Sequence, residues 1–163
     1  MSLEDKFIEV VKENEGIIFK ITTVYTNNAD DQKDLYQEIV IQLWTAFRRF
    51  RNEAKVSTWI YRIALNTAIT RIRKEKRKGD QVPIDQAILN YTENTNPEFE
   101  ERLKILYRSI EALQELDKGI ILLFLEDKSH EEISKIIGLS VSNVGTRLSR
   151  IRKKIKSQIA NEQ

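Results

Sequence analysis

Cysteine is absent from the 163 residues, which excludes disulfides and thiolate-bound zinc. A single histidine, His130, leaves no imidazole cluster to hold a metal, so metal-assisted hydrolysis has little to work with. Apolar runs stay short of the ~18 residues needed to span a bilayer. The N-terminus is acidic and lacks a signal-peptide pattern, so a cytoplasmic protein is expected. Glycine and proline are scarce, at 5 and 2 residues, and long uninterrupted stretches remain for helices. What is present is 40% hydrophobic and 32% charged, the balance of a globular chain with one ordinary domain or two small ones.

The formal net charge of +2 conceals a strong alternation. Residues 1–47 hold 4 Lys/Arg against 9 Asp/Glu, and 48–78 hold 11 against 2. Residues 79–134 then hold 5 against 13, and 135–163 hold 7 against 1. Two basic blocks separated by an acidic one predict two separate contacts with anionic partners.

The first basic block contains the most informative stretch. A polar run from Arg51 to Val56 precedes Ser57 and Thr58, either of which suits a helix cap, and no Gly or Pro follows until Gly79. At ~100° per residue, Ile60, Tyr61, Ala64, Leu65, Ala68 and Ile72 share a buried side. The opposite side carries Trp59, Arg62, Asn66, Thr70 and Arg73, with Ile63 among them. Aromatic, amide and guanidinium groups stack on bases, bond base edges and hold phosphates. The helix runs on into Arg71, Arg73, Lys74, Lys76, Arg77 and Lys78. A charge run alone fits a solvated helix end as well; the aromatic and amide on the same face favour nucleic acid.

Before this stretch, residues 3 to 26 read as helix in two pieces, with Gly16 marking the break. Asp30 or Asp31 is expected to cap a helix over about residues 32–50, with Leu35, Ile39, Leu43 and Phe47 inward. Gln37, Glu38 and Ile41 are left outside, as a partner surface or as the wet side of a bundle helix.

Periodicity fails from Gly79 to Pro97, a stretch rich in Asn, Thr, Asp and Pro that reads as a flexible linker. About 19 residues reach at most roughly 60 Å. The expected fold is all-α, with two small helical domains, 1–78 and 98–163. In the second, Leu103, Leu106, Ile110 and Leu113 mark one helix, and Asp117 should cap the next, whose run Ile120–Leu125 fills a core.

Ser129 and Glu132 have capping-box spacing, Gly138 stands where a left-handed residue ends a helix, and a last helix starts near Ser142. This pattern is a helix-turn-helix. With Val144, Leu148, Ile151, Ile155 and Ile159 inward, Thr146, Ser149, Arg150 and Lys153 point outward and Gly145, Arg147, Arg152 and Lys154 flank them. Two helices packed at a corner with a basic outer face would share the pattern, but the clustered bases and short hydroxyls suit a major-groove reader.

Taken together, these segments resemble the bacterial RNA polymerase sigma factors, and within them the compact extracytoplasmic-function group. Asp34-Leu35-Tyr36-Gln37-Glu38 resembles the segment that docks on the β′ clamp helices. Ser57 to Ala68 resembles the promoter-melting helix, and Ser142 to Ile155 the reader of the upstream (−35) element.

The resemblance implies a non-catalytic factor without cofactor or metal, whose partners are core polymerase (β′ clamp helices and β flap), promoter duplex, the non-template single strand and an anti-sigma factor. It implies polymerase contacts at Asp34, Gln37, Glu38 and Ile41. Phe50, Arg51, Asn52 and Lys55 would belong to the loop that captures a flipped base of the −10 element. Trp59, Arg62, Ile63, Asn66 and Thr70 would follow on the melting helix, with Arg71, Arg73, Lys74, Lys76 and Arg77 on the backbone. Ser142, Asn143, Gly145, Thr146, Arg147, Ser149, Arg150 and Lys153 would serve the upstream element. Gly145 departs from the larger, often basic, side chain common there, leaving that reading to fewer groups. A plain helix-turn-helix regulator, which would bind duplex tightly without polymerase, and a small nuclease are the competing classes.

Overall fold

A computed structural model describes residues 1–50, 55–77 and 97–162. Among them every regular element is helical, and contacts divide the chain into two units, Met1–Val82 and Pro83–Gln163. The expected linker falls outside the described residues, apart from Pro97.

In the first unit, α1 (Leu3–Glu13) opens on a capping box: Ser2 Oγ accepts from the Asp5 amide, and the Asp5 carboxylate accepts from that of Ser2. It ends at Asn14, not Gly16. The Asn14 side chain donates to the Val10 carbonyl at 2.8 Å, and its own carbonyl accepts from Ile17 to start α2 (Glu15–Tyr25). A short amide that competes for backbone partners breaks the helix better than a glycine with open space around it.

Helix α2 buries Ile18 and all of its residues from Ile21 to Tyr25. Its buried Thr22 and Thr23 donate back to the Phe19 carbonyl, and both hydroxyls accept from Gln32. Asn28, not Asp30 or Asp31, caps α3 (Ala29–Phe47), accepting from the Asp31 amide at 2.8 Å. The helix therefore starts and stops three residues before the expected bounds. Leu35, Ile39 and Leu43 are fully buried, as their spacing predicts.

Helix α4 (Val56–Arg77) packs on both α2 and α3. It buries Ile60, Tyr61, Ala64, Leu65 and Ala68, and adds Ile69, while Ile72 is only half-buried. Ser57 and Thr58 are not caps: both lie inside the first turn, and Thr58 is buried.

In the second unit α5 (Pro97–Glu111) begins on a proline, whose missing N–H costs nothing at a first helical position. It buries Ile105 and Ile110; Leu103 and Leu106 are half-buried, and Leu113 is buried in the turn beyond the helix. Gln114 holds the cap position of α6 (Glu115–Leu125), so Asp117 falls inside the helix and is free for tertiary work. Ile120 to Leu123 fill the core, but Leu125 is exposed.

Ser129 caps α7 (His130–Ile137), its hydroxyl accepting from the Glu132 amide and donating to the Glu132 carboxylate. Gly138 ends α7 with φ +87°. Ser140 accepts from the Asn143 amide at the start of α8 (Val141–Glu162). Helix α8 packs on α5, α6 and α7 through Val144, Leu148, Ile151 and Ile155, and Ile159 is half-buried.

Candidate nucleic-acid interface

The side of α4 that faces away from α2 and α3 is one continuous exposed line: Arg62, Asn66, Thr70, Arg73 and Arg77. Spacings of three and four residues put them on successive turns of one face. Ile63 is half-buried beside them. Arg77 Nε donates to the Arg73 carbonyl at 3.4 Å, laying its side chain along the helix.

Trp59 does not share their exposure. It is half-buried, with its ring 6.1 Å from Phe47 and 4.7 Å from Phe50. Phe47 in turn meets Phe7, and Phe7 meets Trp44, so five aromatic rings run from α1 to the end of α3 and the start of α4. Arg48 lies over the Trp44 ring at 5.4 Å. Phe50 and Trp59 form the outer pair of this series, at the point where the chain enters residues 51–54. Lys55 beyond them is exposed; Arg51, Asn52 and Lys78 lie outside the described residues.

Arg71, expected among the phosphate-holding residues, is turned inward. Its guanidinium reaches the Asp31 carbonyl at 3.2 Å, Asp31 Oδ1 at 3.4 Å and Glu75 Oε1 at 3.2 Å. The rest of the basic run, Arg73, Lys74, Lys76 and Arg77, is exposed.

On α3, Asp34, Gln37, Glu38 and Ile41 are all exposed and share one face, Ile41 at 59% being unusual for so large an apolar side chain. Tyr36 is half-buried; its burial and the Glu15 carboxylate push its hydroxyl above the ordinary 10.0. A groove of about 400 Å³ runs between α3 and α4, lined by Glu38, Gln42, Asn66, Thr67, Thr70, Arg71, Lys74 and Glu75. It joins the α3 face to the α4 face. Gln42 and Thr67 carry no signal of their own in the sequence, although Gln42 stands one turn beyond Glu38.

In the second unit, Ser142, Asn143, Thr146, Ser149, Arg150 and Lys153 are exposed on the outer side of α8. Thr146 donates to the Ser142 carbonyl, and Asn143 accepts from Arg147. Arg147, expected among the residues that serve the upstream element, is instead paired with Asp117 of α6 at 3.2 Å, half-buried. Its flank position turns it toward α6. Arg152 lies over the Phe124 ring at 5.3 Å. A side chain on Gly145 would point at the His130 ring, 3.7 Å away, and not outward. Among the described residues no acidic or histidine cluster could hold a metal ion, and no helix is long and apolar enough to cross a membrane.

Comparison with known proteins shows which family the chain resembles. The family model of sigma-70 region 2 matches residues 10–78, and that of sigma-70 region 4 matches residues 103–155. The chain is 28% identical to the RNA polymerase sigma factor SigV of Bacillus subtilis, over 95% of this chain and 92% of the relative. It is 33% identical to the ECF RNA polymerase sigma-E factor of Escherichia coli K12, over 79% and 74% of the two chains. Among solved structures, the sigma factor RpoE in complex with the anti-sigma factor NepR, from Bartonella quintana, shares the fold with a TM-score of 0.76 at 17% identity, over 97% and 99% of the chains. CnrH in complex with the cytosolic domain of CnrY gives 0.71 at 19%, over 98% and 91%. With both regions matched in order, the chain belongs to the extracytoplasmic-function group of the sigma-70 family, the non-catalytic factors that bind core RNA polymerase and direct promoter recognition.

Proposed function

We propose that the two units divide promoter recognition between them. In the first, residues 1–78, the α4 line of Arg62, Asn66, Thr70, Arg73 and Arg77 takes the −10 element. The segment Phe50–Val56, with Arg51, Asn52 and Lys55, receives one flipped base of the non-template strand. Phe50 and Trp59 supply its stacking surface. Unstacking a base costs a few kcal/mol, which stacking of ~1–3 kcal/mol per base and hydrogen bonds from groups such as Asn66 offset. Asp34, Gln37, Glu38 and Ile41 face the β′ clamp helices. In the second unit, residues 98–163, Ser142, Asn143, Thr146, Ser149, Arg150 and Lys153 serve the −35 element, and this unit meets the β flap. Residues 79–97 tether the two.

RpoE and CnrH were each solved with a second protein, named an anti-sigma factor for RpoE. A corresponding anti-sigma factor for this chain would cover the α3 face and compete with polymerase.

The observation that carries the reading is the exposed α4 line, whose amide, hydroxyl and guanidinium groups lie back to back with a largely apolar inner face. The test is Asn66→Ala in holoenzyme. Permanganate footprinting should show strand opening impaired more than duplex binding, whereas equal loss of both steps counts against the assignment.

A further inference from the structure

Arg71 belongs by sequence to the basic run that ends α4, yet its side chain is turned toward α3. Two of its bonds go to Asp31 in the first turn of α3 and one goes to Glu75, one turn on in α4. Its side chain is 17% exposed, and those of Asp31 and Glu75 are 36%. A planar guanidinium fixes the direction of each N–H, so one group sets both the distance and the rotation of α4 against the start of α3. An ammonium has no such fork.

The position of this link gives it a consequence. One turn beyond Asp31, α3 begins the exposed face of Asp34, Gln37, Glu38 and Ile41. On α4, Arg71 directly follows Thr70, and Arg73 lies two residues on. Arg71, Glu38, Asn66 and Thr70 all line the same groove. Loosening the link would let the α4 line shift against the α3 face without removing any group from either.

We propose that Arg71 is a positioning residue for strand opening: paired with Asp31, it holds the DNA-facing line of α4 in register with the polymerase-facing side of α3, and it does not contact a phosphate. This rests on the assignment of those two faces given above.

The experiment uses full-length holoenzyme on one promoter, measuring the rate of open-complex formation at saturating concentration and the salt dependence of promoter affinity. Circular dichroism of each variant reports the fold. Arg71→Lys keeps the charge and loses the fork; Asp31→Asn removes the acceptor charge from outside the basic run. Each should slow opening by about five-fold, the weight of a single hydrogen bond. The double variant should lose less than the two single losses combined, because both variants break the Arg71–Asp31 carboxylate pair, although Arg71→Lys also weakens the bonds to the Asp31 carbonyl and Glu75. Arg71→Gln should leave the salt slope at the wild-type value, while Arg73→Gln, on the exposed line, lowers it by about 1. Wild-type opening in Arg71→Lys or Asp31→Asn, additive losses in the double variant, or a lowered slope in Arg71→Gln overturns the proposal. An unchanged slope in Arg73→Gln would instead sink the DNA-facing assignment itself.

Discussion

At the scale of the residue, charges that are taken out of water decide more than charges left in it. Lys118 is 8% exposed, and its Nζ lies 3.7 Å from Glu111 Oε2, joining the end of α5 to α6. Burial pushes the Glu111 carboxyl above its ordinary 4.5, and the nearby Lys118 only partly opposes this. A raised folded-state value means that the group contributes stability below 4.5, and that this contribution is lost as pH climbs through the raised value. Gln at this position does not titrate, and the other groups cancel in the comparison. Melting curves of wild type and Glu111→Gln from acid to neutral pH should therefore show wild type losing ground to the variant as pH rises. A constant difference would refute the raised value. Arg71 and Arg147 follow the same logic in opposite charge: each leaves a basic surface for a half-buried carboxylate.

At the scale of the element, the inner faces are legible in the sequence and the joints are not. Leu35, Ile39 and Leu43, the Ile60–Ala68 set and the Val144–Ile155 set can all be read because one apolar stripe per helix has one way to be buried. Caps are ambiguous where several cappers stand together: Asn28 beside Asp30 and Asp31, Gln114 three residues before Asp117. Propensity ranks the first three side chains as near equals, and packing chooses. The helical angle alone puts Trp59 outside, but Phe47 and Phe50 cover it. Nor can periodicity reveal that Arg71 is spoken for by a residue 40 positions away, or Arg147 by one 30 away.

The turn into α8 is legible, and its physics is testable. Gly138 has φ +87° with nothing within 4 Å of an added methyl, so Gly138→Ala carries a purely conformational cost of ~1–2 kcal/mol. Gly145 lies within α8 and has room for a methyl 3.7 Å from His130, so Gly145→Ala should stabilise by roughly 0.5–1 kcal/mol. Urea unfolding of the two variants should give opposite signs.

At the scale of the whole molecule, the division of labour proposed above rests on alternating charge, which would let a chain of net charge +2 grip a polyanion at two places. The basic blocks 48–78 and 135–163 each fall in a different unit. Each cation that neutralises a phosphate adds about 0.9 to the salt slope on duplex, or about 0.7 on a single strand. Contributions from separate sites should add, since they share no partner. Replacing Arg73 and Arg77 by Gln should therefore lower the slope of holoenzyme binding to fork DNA by about 1–2, and leave the preference among upstream-element variants intact. Replacing Arg150 and Lys153 by Gln should lower the slope by a similar amount and erode that preference as well, because Arg150 stands on the exposed side of α8 among short hydroxyls that let the helix approach base edges. Binding isotherms over a range of salt, on promoters that differ only upstream, separate the two. If the Arg73/Arg77 variant eroded the upstream preference as much as the Arg150/Lys153 variant does, the blocks would be acting as one diffuse cationic surface and the division of labour between the units would fail.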